Sequence, residues 1–174
     1  MTLRYLCIAA LLSFPQLAGA QGDPGDAGVA ALRANWKGVI DNITKAAEEL
    51  SDADYAYRPI GTVRTFGQLI GHIAGSQHLM CAAALGEPQP AEDAVEKAAT
   101  TKADLVKALH ESTAHCDKAY QLPASSISAP TELFGERSTR VGALALNAVH
   151  DGEHYGNIVT YMRMKGLVPP SSRR

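Results

Sequence analysis

Val29-Ala30-Ala31-Leu32-Arg33-Ala34-Asn35-Trp36-Lys37-Gly38-Val39-Ile40-Asp41-Asn42-Ile43-Thr44-Lys45-Ala46-Ala47-Glu48-Glu49-Leu50 carries the clearest periodicity in the chain. Its apolar positions Val29, Leu32, Trp36, Ile40, Ile43, Ala47 and Leu50 advance in steps of three and four, the spacing that lines one face of an α-helix. The pattern predicts an amphipathic helix of about six turns, with Trp36 on the buried side. Ser51-Asp52-Ala53-Asp54 ends it, and residues 21–26, rich in Gly, Asp and Pro, form a loose lead-in.

A helix with one apolar face needs partner faces, and three more helical patterns supply them. After a connection from Tyr55 to Val63, Thr65-Phe66-Gly67-Gln68 has the form of a capping box. Phe66, Leu69, Ile70, Ile73, Gln77, Met80, Cys81 and Ala84 then keep the helical period until Gly86 and Pro88 stop it. Residues 87–99 read as a loop. Thr101-Lys102-Ala103-Asp104 opens a third helix through Leu105, Leu109, Ser112, Cys116 and Tyr120. Leu122 to Arg137 is a Ser-, Ala- and Pro-rich crossing around Phe134-Gly135, partly extended. It is long for a bundle connection, which makes it a candidate lid or site-lining loop. The last helix starts at Ser138 or Thr139, runs through Leu144, Asn147, His150, His154, Ile158, Tyr161 and Met162, and closes at Lys165-Gly166 before Pro169-Pro170. Four long helical patterns without a strand pattern or a repeat predict an all-α protein, an antiparallel four-helix bundle.

The first twenty residues stand apart from this pattern. Arg4, the apolar run Tyr5–Leu12 and Ala18-Gly19-Ala20 are the three parts of a secretory signal peptide, and the run is too short to cross a bilayer. Residues 21–174 are then a single exported domain, secreted or periplasmic, with no stable membrane anchor. Losing the leader removes one positive charge from a formal net charge of −2. No basic stripe is present to meet phosphates, so nucleic acid is not an expected partner. Cys81 and Cys116 remain. In an oxidising compartment an even pair is expected to form one disulfide; two separate buried thiols, or metal ligation, are the alternatives. A bridge closing a loop of about 35 residues contributes roughly 3–4 kcal/mol in the chain-entropy model.

Chemistry concentrates in Asn147-Ala148-Val149-His150-Asp151-Gly152-Glu153-His154-Tyr155-Gly156-Asn157. Histidines four apart on a helix share a face, and this face is the one turned to the bundle interior. Inward imidazoles cost free energy unless each finds a partner, and one divalent metal satisfies both. Core histidines bonded to backbone or to Asn147 are the bland alternative. His72, beside the apolar stripe of the second helix, is the natural third ligand. Three neutral imidazoles leave a tetrahedral zinc one open position, where water or a thiol can be activated; nickel or iron would also accept the set. His78 points to another face, and His110 and His115 lie beside Glu111 and Asp117, so these three stay outside the site. His150-Asp151-Gly152-Glu153-His154 also fits the inverted zinc-protease pattern, yet the acidic ligand that class needs downstream is missing: no Asp or Glu follows His154.

Gly71-His72-Ile73-Ala74, His150-x-x-x-His154 and the ending Tyr155 to Pro170 resemble the DinB-like (DNA-damage-inducible, four-helix) superfamily, and more narrowly its exported branch. The resemblance implies a four-helix bundle with one long crossover, a divalent metal on His72, His150 and His154, and frequent homodimers. Characterised relatives include metal-dependent thiol transferases and a mycothiol-dependent isomerase, in which the metal activates a low-molecular-weight thiol, while many members have no assigned activity. Export departs from that setting, because cytosolic thiol cofactors are not expected outside the inner membrane. The reading is therefore a metal-dependent hydrolase or transferase of an unassigned small substrate. Asn147 or Asn157 would orient a ligand or water, and Glu153 would assist only if turned inward. The alternative is a non-catalytic metal-binding or stress-related module.

Overall fold

The computed structural model describes residues 24–173; the expected signal peptide at 1–20 lies outside the described residues. Four long helices form the frame: α1 (Pro24–Glu49), α3 (Phe66–Leu85), α5 (Lys102–Tyr120) and α7 (Arg140–Met164). Short pieces join them. These are α2 (Asp52–Tyr55), α4 (Ala94–Ala98), α6 (Ala124–Ile127), and a hairpin of β1 (Pro130–Leu133) and β2 (Glu136–Thr139). Among the described residues no helix is long and apolar enough to cross a membrane.

The ends follow local chemistry. Thr65 and Gln68 form the expected capping box of α3: the Thr65 hydroxyl accepts from the Gln68 amide while the Gln68 side chain accepts from the Thr65 amide. Gly86 closes α3 in the left-handed region, at φ 78°. Thr101 caps α5 and Thr139 caps α7. Two connections are more ordered than the composition predicted. Pro24 already begins α1, since proline suits a first helical turn, so the lead-in is partly helical. Ser51 both follows α1 and caps the extra turn α2.

All-α architecture holds, and side-chain contacts refine the helix directions. Arg33 Nε donates to Tyr120 O near the start of α1, and Lys102 Nζ donates to Glu48 O near its end, so α1 and α5 are antiparallel. In α3 and α7, His72 stands beside His154 while Gly86 stands beside Arg140, again antiparallel. In contrast, Leu105 packs on Gly67 and Gly71 while Cys116 meets Cys81, which makes α3 and α5 parallel neighbours. Trp36 touches Asp151 and Glu49 pairs with Arg173 just past α7, so α1 and α7 are also parallel. The antiparallel expectation thus holds for two of these neighbouring pairs.

Parallel neighbours need a return crossing, and residues 86–101 provide it along α3. A Cβ on Gly75 would collide with Glu92 O, and one on Gly71 would come within 2.9 Å of Glu96 Cα. Only the missing side chains let the two backbones approach so closely. This segment, expected as a loop, contains α4 and lies over the middle of α3. The crossing at 122–137 goes elsewhere: Thr131 Oγ1 donates to Ala83 O and Gln89 Nε2 to Glu132 O. Ala83 is eleven residues beyond His72, ~16 Å along the helix, so the hairpin is not a lid over the histidines. Its two-residue turn puts both Phe134 and Gly135 at positive φ, the geometry that matches strand twist in a hairpin.

The core is continuous. Trp36, Ile40, Ile43, Ile70, Ile73, Leu109, Leu144 and Ile158 are essentially inaccessible. Trp36 stacks on Tyr120, ring centroids 4.1 Å apart. Cys81 and Cys116 are joined as a disulfide with Cα atoms 5.2 Å apart, tying α3 to α5.

Candidate metal centre

Helix α7 buries Leu144, Asn147, Asp151, His154, Ile158 and Tyr161, in alternating steps of three and four. His150 precedes Asp151 and leans from the edge of this stripe, its side chain 15% exposed. His72 comes from the first half of α3 and is buried against it. The structure brings all three predicted ligands together. His150 Nε2 lies 3.2 Å from His72 Nε2 and 3.0 Å from His154 Nε2. The rings are tilted by 58–82° to one another, so the nitrogens meet at one place without the rings stacking. Two nitrogens bound to one tetrahedral zinc sit ~3.3 Å apart, so an ion fits after an opening of a few tenths of an ångström.

Atoms behind the rings support the fit. His72 Nδ1, His150 Nδ1 and Asp151 Oδ1 are buried without a hydrogen-bond partner. Yet each ring nitrogen faces a carboxylate oxygen 3.9 Å away: Glu96 Oε2 behind His72 and Asp151 Oδ1 behind His150. A metal on Nε2 places the proton on Nδ1, and that N–H would give Asp151 Oδ1 the donor it lacks and Glu96 Oε2, which already accepts from Arg64 Nε, a second one. Asn157 Nδ2 is 3.3 Å from His154 Nδ1; turning the amide over offers its oxygen instead. Every imidazole therefore has a group of the right kind behind it.

Electrostatics point the same way. Burial lowers His72 to about 3, helped by the Arg64 charge and the other two histidines. Burial, then His150, lowers His154 to about 4. Both rings are neutral at pH 7, with a lone pair free for an ion. Asp151, fully buried, has its pKa raised by desolvation; His150, Trp36 and Gln77 oppose that rise. Trp36 Nε1 donates to Asp151 Oδ2 at 3.1 Å, and Asn147 Nδ2 stands 3.4 Å from the same oxygen. Trp36 is thus a core residue, as expected, that also holds a carboxylate in place.

Other expectations are corrected by position. Asn147 donates to the Tyr120 hydroxyl at 3.2 Å and belongs to the buried network behind His150, so it does not reach a ligand. Glu153 is exposed, which removes it as a base. His110 pairs with Glu48 and His115 with Glu87, while His78 lies against His115, all outside the cluster.

A cavity of about 640 Å³ opens beside His154. Its walls include Ile60, Val63 and Arg64 from the connection before α3, Leu69 from α3, and Asn157 and Tyr161 from α7. The first connection lines the site, a role expected of the crossing at 122–137. Sequence reasoning missed Asp151, Glu96 and Arg64. Asp151 was visible in principle, since it continues the Leu144–Asn147–His154–Ile158 stripe. Glu96 and Arg64 lie in connections, where no periodicity marks them.

Asp151→Asn tests the carboxylate behind His150. The amide keeps an acceptor for Trp36 but loses the charge that orients a metal-bound imidazole. Zinc affinity, measured by competition with a chromophoric chelator, is expected to fall about 10–100-fold with the helical circular dichroism retained. An unchanged affinity would remove Asp151 from the centre.

Comparison with known proteins agrees with this architecture. The family model described as the DinB superfamily matches residues 35–158. The uncharacterized protein YjoA of Bacillus subtilis (strain 168) is 29% identical over 130 residues, covering 72% of this chain and 83% of its own. Two crystal structures share the fold. A DinB-like protein from Bacillus cereus ATCC 10987 superposes with TM-score 0.69 at 16% identity, covering 81% of this chain and 95% of that one. The YjoA structure from Bacillus subtilis gives 0.59 at 20% identity, covering 83% and 99%. A bundle of four long helices, a histidine cluster compatible with metal binding and a family match over most of the chain lead to one conclusion: this protein belongs to the DinB superfamily.

Proposed function

We propose that the protein is an exported metal-dependent enzyme, a hydrolase or transferase of a small molecule, with a divalent ion on His72, His150 and His154. The observation that carries this reading is the convergence of three Nε2 atoms, each ring backed at Nδ1 by Glu96, Asp151 or Asn157, at the edge of a cavity. An ion held by three neutral imidazoles supplies Lewis-acid activation of water or a thiol at its open position, and zinc is the first candidate. The chain's own part is to keep His72 and His154 neutral by burial, fix the rings' tautomers from behind, and keep the cavity side free of a fourth protein ligand. Among the described residues the histidine trio is the metal-ligating group that the geometry assembles, which supports an open coordination position. Export is supported by the leader pattern at 1–20 and by the Cys81–Cys116 bridge, which suits an oxidising compartment.

Purified protein is expected to take up one zinc per chain, and chelation is expected to lower its melting temperature. A screen of ester hydrolysis and thiol transfer, with and without metal, then separates the two roles. Metal-dependent turnover supports the enzyme; one bound metal with a large melting shift and no turnover supports a non-catalytic metal-binding module. No uptake at all removes the centre.

A further inference from the structure

Arg64 is pinned at both ends of its length. The Tyr161 hydroxyl donates to Arg64 O at 2.9 Å, and the next residue, Thr65, caps α3, so the backbone is fixed. Arg64 Nε donates to both oxygens of Glu96, at 3.2 and 3.1 Å. Glu96 is itself positioned, because α4 rests on Gly71, and its Oε2 also faces His72 Nδ1. Among the described residues the two terminal nitrogens of Arg64 bond to no protein atom, and the residue lines the cavity together with His154.

A lone ion pair at a surface contributes little to stability, so folding alone gives weak reason for a guanidinium here. Binding gives a stronger one. Guanidinium has a planar fork, and with Nε engaged its terminal edge matches the two oxygens of a carboxylate. Glu96 neutralises Arg64 overall, yet the histidine centre adds a dipositive ion to the same space when loaded, leaving the cavity net positive. Beside Thr62, Asn157 and Tyr161, the remaining wall carries an apolar patch, with Ile60 and Val63 60% and 37% exposed at the opening. An apolar spacer would lie there.

We infer that Arg64 is the recognition point for a carboxylate on the substrate, whose reacting group is held at the His72–His150–His154 centre. The substrate class is then a small organic acid with an apolar body and a second, metal-seeking group. The inference rests on the metal-centre reading and adds specificity to it. Glu96 acts as a positioning residue: it aims the Arg64 fork and supports His72 at once, so charge recognition and metal geometry share one side chain.

The test uses cobalt(II)-loaded protein, whose visible absorption reports ligands entering the open position. The probes are monohydroxamates of linear dicarboxylic acids, from malonic to pimelic, each beside the matched compound in which an amide replaces the free carboxylate. Hydroxamate seeks the metal and leaves disulfides intact. At the best chain length the acid is expected to bind about tenfold more tightly than its amide. In Arg64→Gln the difference is expected to vanish, while the amide's affinity and the cobalt stoichiometry stay within twofold of the parent. Equal binding of acid and amide at every length, or an acid preference that survives Arg64→Gln, overturns the subsite and leaves the metal centre standing. Failure to take up cobalt, or a spectrum that no hydroxamate perturbs, overturns the metal-centre reading and the subsite with it.

Discussion

Alanine at His150 is expected to weaken zinc binding at least about a hundredfold while the bundle stays folded; this is the largest functional effect expected of a single substitution. The ring supplies the nitrogen that lies within 3.2 Å of both other ligands, so its loss leaves His72 and His154 without the atom between them. Two imidazoles on different helices then share the ion with water, and affinity falls at least about a hundredfold. Folding should notice little. His150 is partly exposed, and its Nδ1 is unpartnered without a metal, so truncation removes an unsatisfied polar group along with the contacts. A change of about 1 kcal/mol or less in the metal-free protein is expected. Free zinc at a thousand times its dissociation constant stabilises the parent by about 4 kcal/mol. For a chain of this size that is a rise of roughly 8–16 °C in melting temperature. At the same free zinc the variant should keep no more than about a third of this rise. One tightly held zinc per chain in His150→Ala would place the site elsewhere.

The three clustered histidines were legible in the sequence because a helix converts spacing into direction. His150 and His154 had to share a face, and that face carried Asn147 and Ile158, so it had to turn inward. His72 was legible for the same reason on α3. What supports them was harder to read. Asp151 is one residue from His150, and only its register with Leu144 and Ile158 places it in the core facing Trp36. Glu96 and Arg64 depend on how the crossing at 86–101 lies over α3. That path is set by Gly71 and Gly75, whose missing side chains admit a backbone approach that composition does not announce. Helix direction was hidden similarly: periodicity marks a buried face but is blind to which way the neighbour runs. The parallel α3–α5 pair could have been suspected from Cys81 and Cys116. Each lies near the end of its own helix, and a bond between them requires those ends to meet.

That bond carries the second large effect. Replacing both cysteines, Cys81→Ala with Cys116→Ala, is expected to cost about 3–4 kcal/mol, because the unfolded chain regains the freedom of a loop 35 residues long. The corresponding drop in melting temperature is roughly 6–16 °C. Two features keep the expected cost near this figure. Both residues are fully buried, so alanine also leaves small voids that add to the entropic loss. Against that, α3 and α5 are already held together by Leu105 on the glycines of α3, Ser112 beside Gln77 and the Leu109 core, so the native state keeps its pairing without the bridge. The histidine centre should consequently survive. His72 lies nine residues, ~13 Å along the helix, before Cys81, and the groups that face it are Glu96 and the histidines of α7. Zinc stoichiometry at 25 °C is therefore expected to be unchanged in the double variant, with only the melting point lowered. If zinc binding is lost together with the bridge while circular dichroism still shows the helices, the disulfide acts on the register of α3 and not only on the unfolded chain. The assignment of its role to the unfolded state then fails.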